Sequence, residues 1–318
     1  MEGMEGLKRK KIIVTGGTGF IGSHLVEELI KTGAKVLVID KIVMPSSYFD
    51  KKELHKKVEL ALVNIADRDT IEYLFNTFQP QYVFHLAAEA IVSNAYLDPF
   101  NTFQTNVMGT VSILEAAKKI KVKGIIVASS DKAYGKTKEA YTEDSPLKGD
   151  HPYDVSKSCT DLIAQTYYKT YGLPVVVTRF GNVYGEGDLH LDRIIPGICE
   201  AVIKKKSLLI RSDGKYVRDY IYVKDVIDGY LLLLKNIAKT QGNAYNFSST
   251  DTCSVLDLVK KISKILHVKI DYQILNNAKN EIPYQHLDDK KIRKLGWKSS
   301  GTIEEFLPQV LEWYREIL

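Results

Sequence analysis

The chain has 318 residues, 45% of them apolar and 26% charged, with a net charge of +5, a composition that excludes disordered and collagenous classes and suits one large lobe with a smaller one. No apolar run is long enough to cross a membrane, and the basic start KRKKIIV breaks at Gly16 and Gly17, too early for a secretory segment. The three cysteines lack CxxC spacing, the seven histidines lack metal-ligand spacing, and the positive charge forms no stripe interleaved with aromatics, so the expectation is a cytoplasmic protein without disulfide, metal site or nucleic-acid surface.

The first segment, KKIIVTGGTGFIGSHLVEELIKTGAKVLVID, reads as strand, glycine turn, helix and strand. Gly16, Gly19 and Gly22, with Phe20 and Ile21 between them, let backbone approach a pyrophosphate at a helix N-terminus. Asp40, at the tip of the second strand, is placed to accept from an adenosine ribose diol and to repel a 2′-phosphate, which favours NAD over NADP. Residues 41–57 give no clear signal. The strand VELALV ends at Asn64 and Ile65, near an adenine edge if the sheet is doubly wound, and YVFHLAA ends at Leu86, Ala87 and Ala88, small enough at its tip to let a cofactor close in. A helix over 99–119 carries Asn106, and IIVASS completes five strands separated by helices. Such alternation predicts a parallel sheet with right-handed crossovers.

The stretch Ser129 to Lys157 is the chemical centre of the sequence. A buried strand ends there in Ser129, Ser130, Asp131 and Lys132, and a helix over about 152–171 opens with Tyr153 and Lys157 on one face. An ammonium beside a phenol favours the phenolate, a proton acceptor for alcohol oxidation. The same spacing recurs at Tyr48/Lys52, Tyr134/Lys138 and Tyr220/Lys224; only Tyr153/Lys157 follows a strand ending in Ser-Ser and precedes another buried strand, VVVTRF. Beyond it the alternation weakens. We therefore expect a Rossmann-type domain over 8–180, to which segments of about 220–250 return, and a smaller α/β substrate lobe over 181–318.

Together, TGGTGFIG, HLAA, TNV, the Ser-Tyr-Lys set, RFGNVYG, RDYIYVKD and LGW at 295–297 resemble the extended short-chain dehydrogenase/reductase family, the nucleotide-sugar epimerases and dehydratases. The resemblance implies an NAD site at Gly16, Gly19, Gly22, Asp40, Ile65 and Asn106. It also implies an oxidation set of Ser130, Tyr153 and Lys157, and a nucleotide-diphosphosugar site that includes Glu89, Asn182, Arg193, Arg211 and Arg218. The Asp131-Lys132 pair is similar to that of the CDP-glucose 4,6-dehydratase branch. That branch's aromatic-rich insert is replaced here by YGKTKEAYTED, and Asn64 stands where many members have Asp.

The reaction so implied is C4 oxidation, loss of water across C5–C6 with Lys132 as base and Asp131 as acid, and hydride return to C6. The substrate is CDP-glucose or a dTDP-, UDP- or GDP-sugar. Two alternatives stand beside it, a UDP-sugar 4-epimerase and a non-catalytic NAD-binding regulator. Family resemblance further implies a homodimer or homotetramer, paired through the 99–119 and Tyr153 helices with Val111, Leu114, Leu162 and Tyr167 as contributors.

Overall fold

A computed structural model describes residues 5–277 and 282–318. Its centre is a seven-stranded sheet. The first six strands to join it are β1 (Lys11–Thr15), β2 (Lys35–Asp40), β3 (Glu59–Leu62), β4 (Tyr82–His85), β5 (Gly124–Ala128) and β6 (Val175–Phe180). After β7 (Asn182–Tyr184), β8 (Leu208–Ile210) and β9 (Val217–Tyr222), strand β10 (Ala244–Phe247) returns to this sheet beside β6. The spatial order is β10-β6-β5-β4-β1-β2-β3 and every pairing is parallel. Covered on both faces, most of its strands are continuous apolar runs: Ile12–Val14, Ile125–Val127 and Val175–Val177 are all buried.

The chain builds β1, β2 and β3 outward, then comes back to lay β4 on the other side of β1. At that switch point the connections above β1 and β4 diverge and leave a crevice at the carboxyl edge. The glycine turn and the helix Phe20–Lys31 open there. Val14, Leu25 and Val26 share a core with Ile198, Tyr222, Leu258 and Tyr314, so apolar packing runs unbroken from the sheet into the C-terminal elements. Those include a three-stranded sheet, in which β9 lies between β7 and β11 (Thr252–Ser254), and a pair of β8 with β12 (Tyr272–Ile274).

The stretch expected as one helix over 99–119 is built in three parts: Pro99–Phe103, a π-helical turn at Gln104–Met108, and Gly109–Lys119. The wider turn leaves Asn106 buried. Two residues expected at a subunit interface point into the chain instead. Leu114 is 0% exposed in the core under β5, and Tyr167 is 8% exposed with its hydroxyl on Glu115. Their side of each helix packs on the sheet, whereas Leu162 is 53% exposed. No helix among the described residues is long and apolar enough to cross a membrane, and no cluster of metal ligands occurs among them.

Candidate active site

The crevice widens into a cleft of about 1340 Å³, larger than a single small ligand needs. Its floor on one side is the glycine turn. A Cβ on Gly22 would stand 2.0 Å from the Gly16 carbonyl oxygen, and one on Gly16, whose φ is +71°, would stand 2.7 Å from Ala87 N. The turn thus closes on itself only without side chains, leaving main-chain N–H groups at the cleft. Asp40 Oδ2 accepts from Thr18 N (3.0 Å) and Thr18 Oγ1 (2.7 Å), and Oδ1 accepts from Lys41 N (2.7 Å). Because a carboxylate has about four acceptor positions, Oδ1 keeps capacity toward the cleft. Gly19, Phe20, Ile21, Asn64, Ile65, Leu86, Ala87 and Ala88 complete this wall. A turn with glycine at its closest approaches, an acid at the second strand's tip and small residues opposite fit NAD.

Asn106, expected among the cofactor contacts, lies beneath this wall. Its Oδ1 accepts from Glu89 N (2.7 Å), and its Nδ2 donates to Glu89 O (3.0 Å) and Ser156 Oγ (2.9 Å). The π-helical turn aims it at the main chain of Glu89. Glu89 itself faces the cleft, with Oε1 accepting from Ile91 N at 3.2 Å.

The other wall rises from the end of β5. Ser130 caps the turn Asp131–Tyr134, its Oγ accepting from Lys132 N (3.2 Å) and donating to Asp131 Oδ1 (3.0 Å). That turn is anchored from behind: the Tyr134 hydroxyl donates to Asn246 Oδ1 (2.7 Å) and accepts from Arg179 (2.6 Å), which is paired with buried Asp161. Ser158 Oγ donates to Ala133 O (2.8 Å) and so fixes the Tyr153 helix against the same turn. Ser130, Lys132, Tyr153 and Lys157 line the cleft. Asp131 does not. It is 2% exposed, held behind Ser130 and Gln285, whose Nε2 donates to Asp131 Oδ2 at 2.8 Å.

Burial sets the titration of these groups. It raises the Asp131 carboxyl above the carboxylate range, opposed by Lys132, Ser130 and Arg218. It lowers Lys157 to about 8 and raises the Tyr153 phenol, with a Ser130 hydrogen bond opposing. The Lys157 ammonium is held by main chain, Nζ donating to the Ala128 carbonyl at 3.0 Å. Asp154, in the first turn of that helix, also lines the cleft, and burial pushes its carboxyl up to about 7. Sequence reading missed Asp154, which looks like any acid at a helix start, and Gln285, which no local pattern marks.

Glu89, Asn182, Arg193, Arg211 and Arg218 all line the cleft. Arg193 is fixed by Asp188 (2.7 Å) and the Val183 carbonyl (3.2 Å), and Arg211 pairs with Asp192 (3.5 Å). Arg218 donates to its neighbour's carbonyl, Val217 O, at 2.9 Å and lies over the Tyr216 ring. Three guanidinium groups along one lobe suit a diphosphate.

Residues 12–248 match the model of the NAD-dependent epimerase/dehydratase family. The chain is 32% identical to a dTDP-glucose 4,6-dehydratase of Haemophilus influenzae over 95% of this chain and 97% of that one. It is also 32% identical to a trifunctional UDP-glucose 4,6-dehydratase/3,5-epimerase/reductase of Arabidopsis thaliana over 97% of this chain, and spans 48% of that protein's length. Among solved structures, a dTDP-glucose 4,6-dehydratase of Streptomyces venezuelae with NAD bound superposes with a TM-score of 0.88 at 27% identity, covering 96% of this chain and 97% of that one. A UDP-glucose 4-epimerase of Thermotoga maritima gives the same TM-score, 0.88, at 30% identity over 96% and 99%.

Proposed function

This chain belongs to the NAD-dependent epimerase/dehydratase family, and from that premise we propose that it is a 4,6-dehydratase of a pyrimidine-nucleoside diphosphoglucose. The observation that carries the reading is the turn Ser130-Asp131-Lys132. It sets an acid with a raised pKa and a cleft-lining amine beside the oxidation set of Tyr153 and Lys157. An epimerase has no use for an acid and a base at C5 and C6. The pyrimidine class is common to the CDP-sugar resemblance and to the relatives named for dTDP- and UDP-glucose.

NAD, which Gly16, Gly19, Gly22 and Asp40 would hold, would supply the hydride acceptor for sugar C4 and the hydride donor for C6. The chain's residues move the protons. Tyr153 acts as the phenolate, which the Ser130 hydrogen bond favours against burial, and its Oη takes the C4 hydroxyl proton, while Lys157 holds its place through the Ala128 carbonyl. With C4 a ketone, H5 is acidic and Lys132 Nζ removes it, giving a solvent-exchangeable proton back to C5 once C6 has been reduced. Asp131, whose carboxyl is made a weaker acid by burial, supplies through the cleft-lining Ser130 hydroxyl, its partner at 3.0 Å, the proton with which the C6 hydroxyl departs as water. Arg193, Arg211 and Arg218 hold the diphosphate, and pairing of subunits through the exposed faces around Val111 and Leu162 belongs to the same reading.

One observation favours a 4-epimerase as the second reading, the equal superposition on the Thermotoga enzyme. Incubation with dTDP-, UDP-, CDP- and GDP-glucose, followed by mass spectrometry, decides. Loss of one water from a pyrimidine sugar supports the dehydratase. Unchanged mass with inversion at C4 replaces it by the epimerase, and water loss from the GDP-sugar alone overturns the pyrimidine assignment.

A further inference from the structure

Gln285 reaches the Asp131 turn from 154 residues away. Its main chain is fixed, with Gln285 N donating to Val217 O at 3.1 Å. The next two residues are tied to one carboxylate, His286 to Asp219 Oδ1 (2.8 Å) and Leu287 N to Asp219 Oδ2 (2.9 Å). The side chain is 1% exposed, and its two ends fare differently. Nε2 donates to Asp131 Oδ2 at 2.8 Å, whereas Oε1 is buried with no hydrogen-bond partner among the described residues. An unpaired buried acceptor is costly, and one in the wall of a reactive cleft asks for a reason.

The geometry points to Gln285 as the positioning residue of Asp131: its amide donates to the ionised carboxylate and, turned end for end, accepts from the protonated carboxyl, so that Asp131 keeps a partner in both states. The inference rests on Asp131 being the acid of water loss. Such an acid exists in each turnover both with and without its proton. A donor-only partner would hold it ionised, and an acceptor-only partner would hold it protonated. A carboxamide is both. Because Ser130 takes the other carboxylate oxygen, the Gln285 end is where the change of state is accommodated.

The charges around Asp131 are mixed, so its partner decides the balance. Lys132 on its own turn and Arg218 on β9 favour the ionised form, while Asp219 and burial oppose it. Tyr141 from the following loop and Tyr153 and Asp154 from the Tyr153 helix also face it.

The test uses the NAD-loaded protein and whichever of dTDP-, UDP- or CDP-glucose turns over fastest, and reads the ratio of water loss to C4 oxidation in single turnovers across pH. Gln285→Met removes both ends of the amide and should lower that ratio about 10- to 100-fold, the range for a hydrogen bond to a charged group. Gln285→Glu keeps an acceptor, should recover the ratio to within about fivefold, and should carry activity to higher pH, since two facing carboxylates share a proton. Gln285→Lys pins the carboxylate and should fall at least as far as the Met variant, recovering only as pH is lowered. Binding of NAD by each variant, followed by fluorescence, establishes that the fold is intact.

A Met variant within threefold of the unsubstituted protein, or Glu and Lys variants that behave alike, overturns the positioning role. Asp131→Asn separates the two layers. If it loses water normally, the acid reading falls and takes this inference with it; if it fails while the Gln285 variants stay unaffected, only the inference falls.

Discussion

The two walls of the cleft are built by different means. The cofactor wall is made by short-range sequence: a glycine turn, the acid at the end of the next strand, and small residues at the end of β4, which leave main-chain groups facing the cleft. The sugar wall is assembled across the chain, with Ser130 and Lys132 from one turn, Tyr153 from a helix, Arg218 from β9 and Gln285 from the far C-terminal segment. The first wall tolerates few side chains. The second is all side chains, and the proton chemistry proposed for it depends on partners brought in from a distance.

The harshest way to probe the difference is Gly22→Val. Its Cβ would fall 2.0 Å from the Gly16 carbonyl oxygen, so the turn cannot keep its shape, and we expect no retained NAD in the purified protein by absorbance. Equal NAD content in the variant would show that the turn is not the cofactor cradle. Next in size is Asp131→Asn on the sugar wall. A positioned general acid is worth about 10²–10⁴ in rate, so water loss should fall by that amount while reduced nicotinamide and 4-keto sugar accumulate. Full turnover would remove Asp131 from the mechanism.

Asp40→Ala should weaken NAD by about tenfold, the value of one hydrogen bond to a charged group, and should relax exclusion of NADP in a titration. If the unsubstituted protein prefers NADP, the assignment of that carboxylate is wrong. The last effect is on stability. Burial lowers Lys157 from 10.5 to about 8, so below pH 8 the folded protein carries a buried charge, a cost of up to about 3 kcal/mol at 1.36 kcal/mol per pH unit. Lys157→Met should therefore raise the melting temperature of the NAD-free protein at pH 7 while abolishing turnover. Between about pH 8 and the ordinary lysine value the unfolded chain binds a proton that the folded chain does not, so the unsubstituted protein gains stability with rising pH and the gap closes. A gap that is constant from pH 7 to pH 10 contradicts this.

What the sequence discloses follows the same division. The doubly wound sheet was legible because buried parallel strands are unbroken apolar runs, and the gathering of Gly16, Gly22 and Asp40 at one cleft was legible because a short stretch of chain sets it. Asn106 was misplaced: the residue is visible, but the π-helical turn that aims it at Glu89 is not. Leu114 and Tyr167 were named for an interface because the resemblance points to their helices as whole elements, which does not say which face of each helix packs in the core. The spacing of Tyr153 and Lys157 gives a shared face, yet cannot show that the Ala128 carbonyl takes the ammonium. Gln285 was beyond reach altogether, since only the folded chain brings it to Asp131.

The central claim is that the sugar wall removes water, and running the reaction in heavy water with the accepted nucleotide sugar tests it most directly. If Lys132 strips H5 and Asp131 expels the C6 hydroxyl, the product lacks one water and carries one solvent deuterium at C5, visible together by mass spectrometry and proton NMR. A product of unchanged mass, inverted at C4 and free of deuterium, contradicts the account.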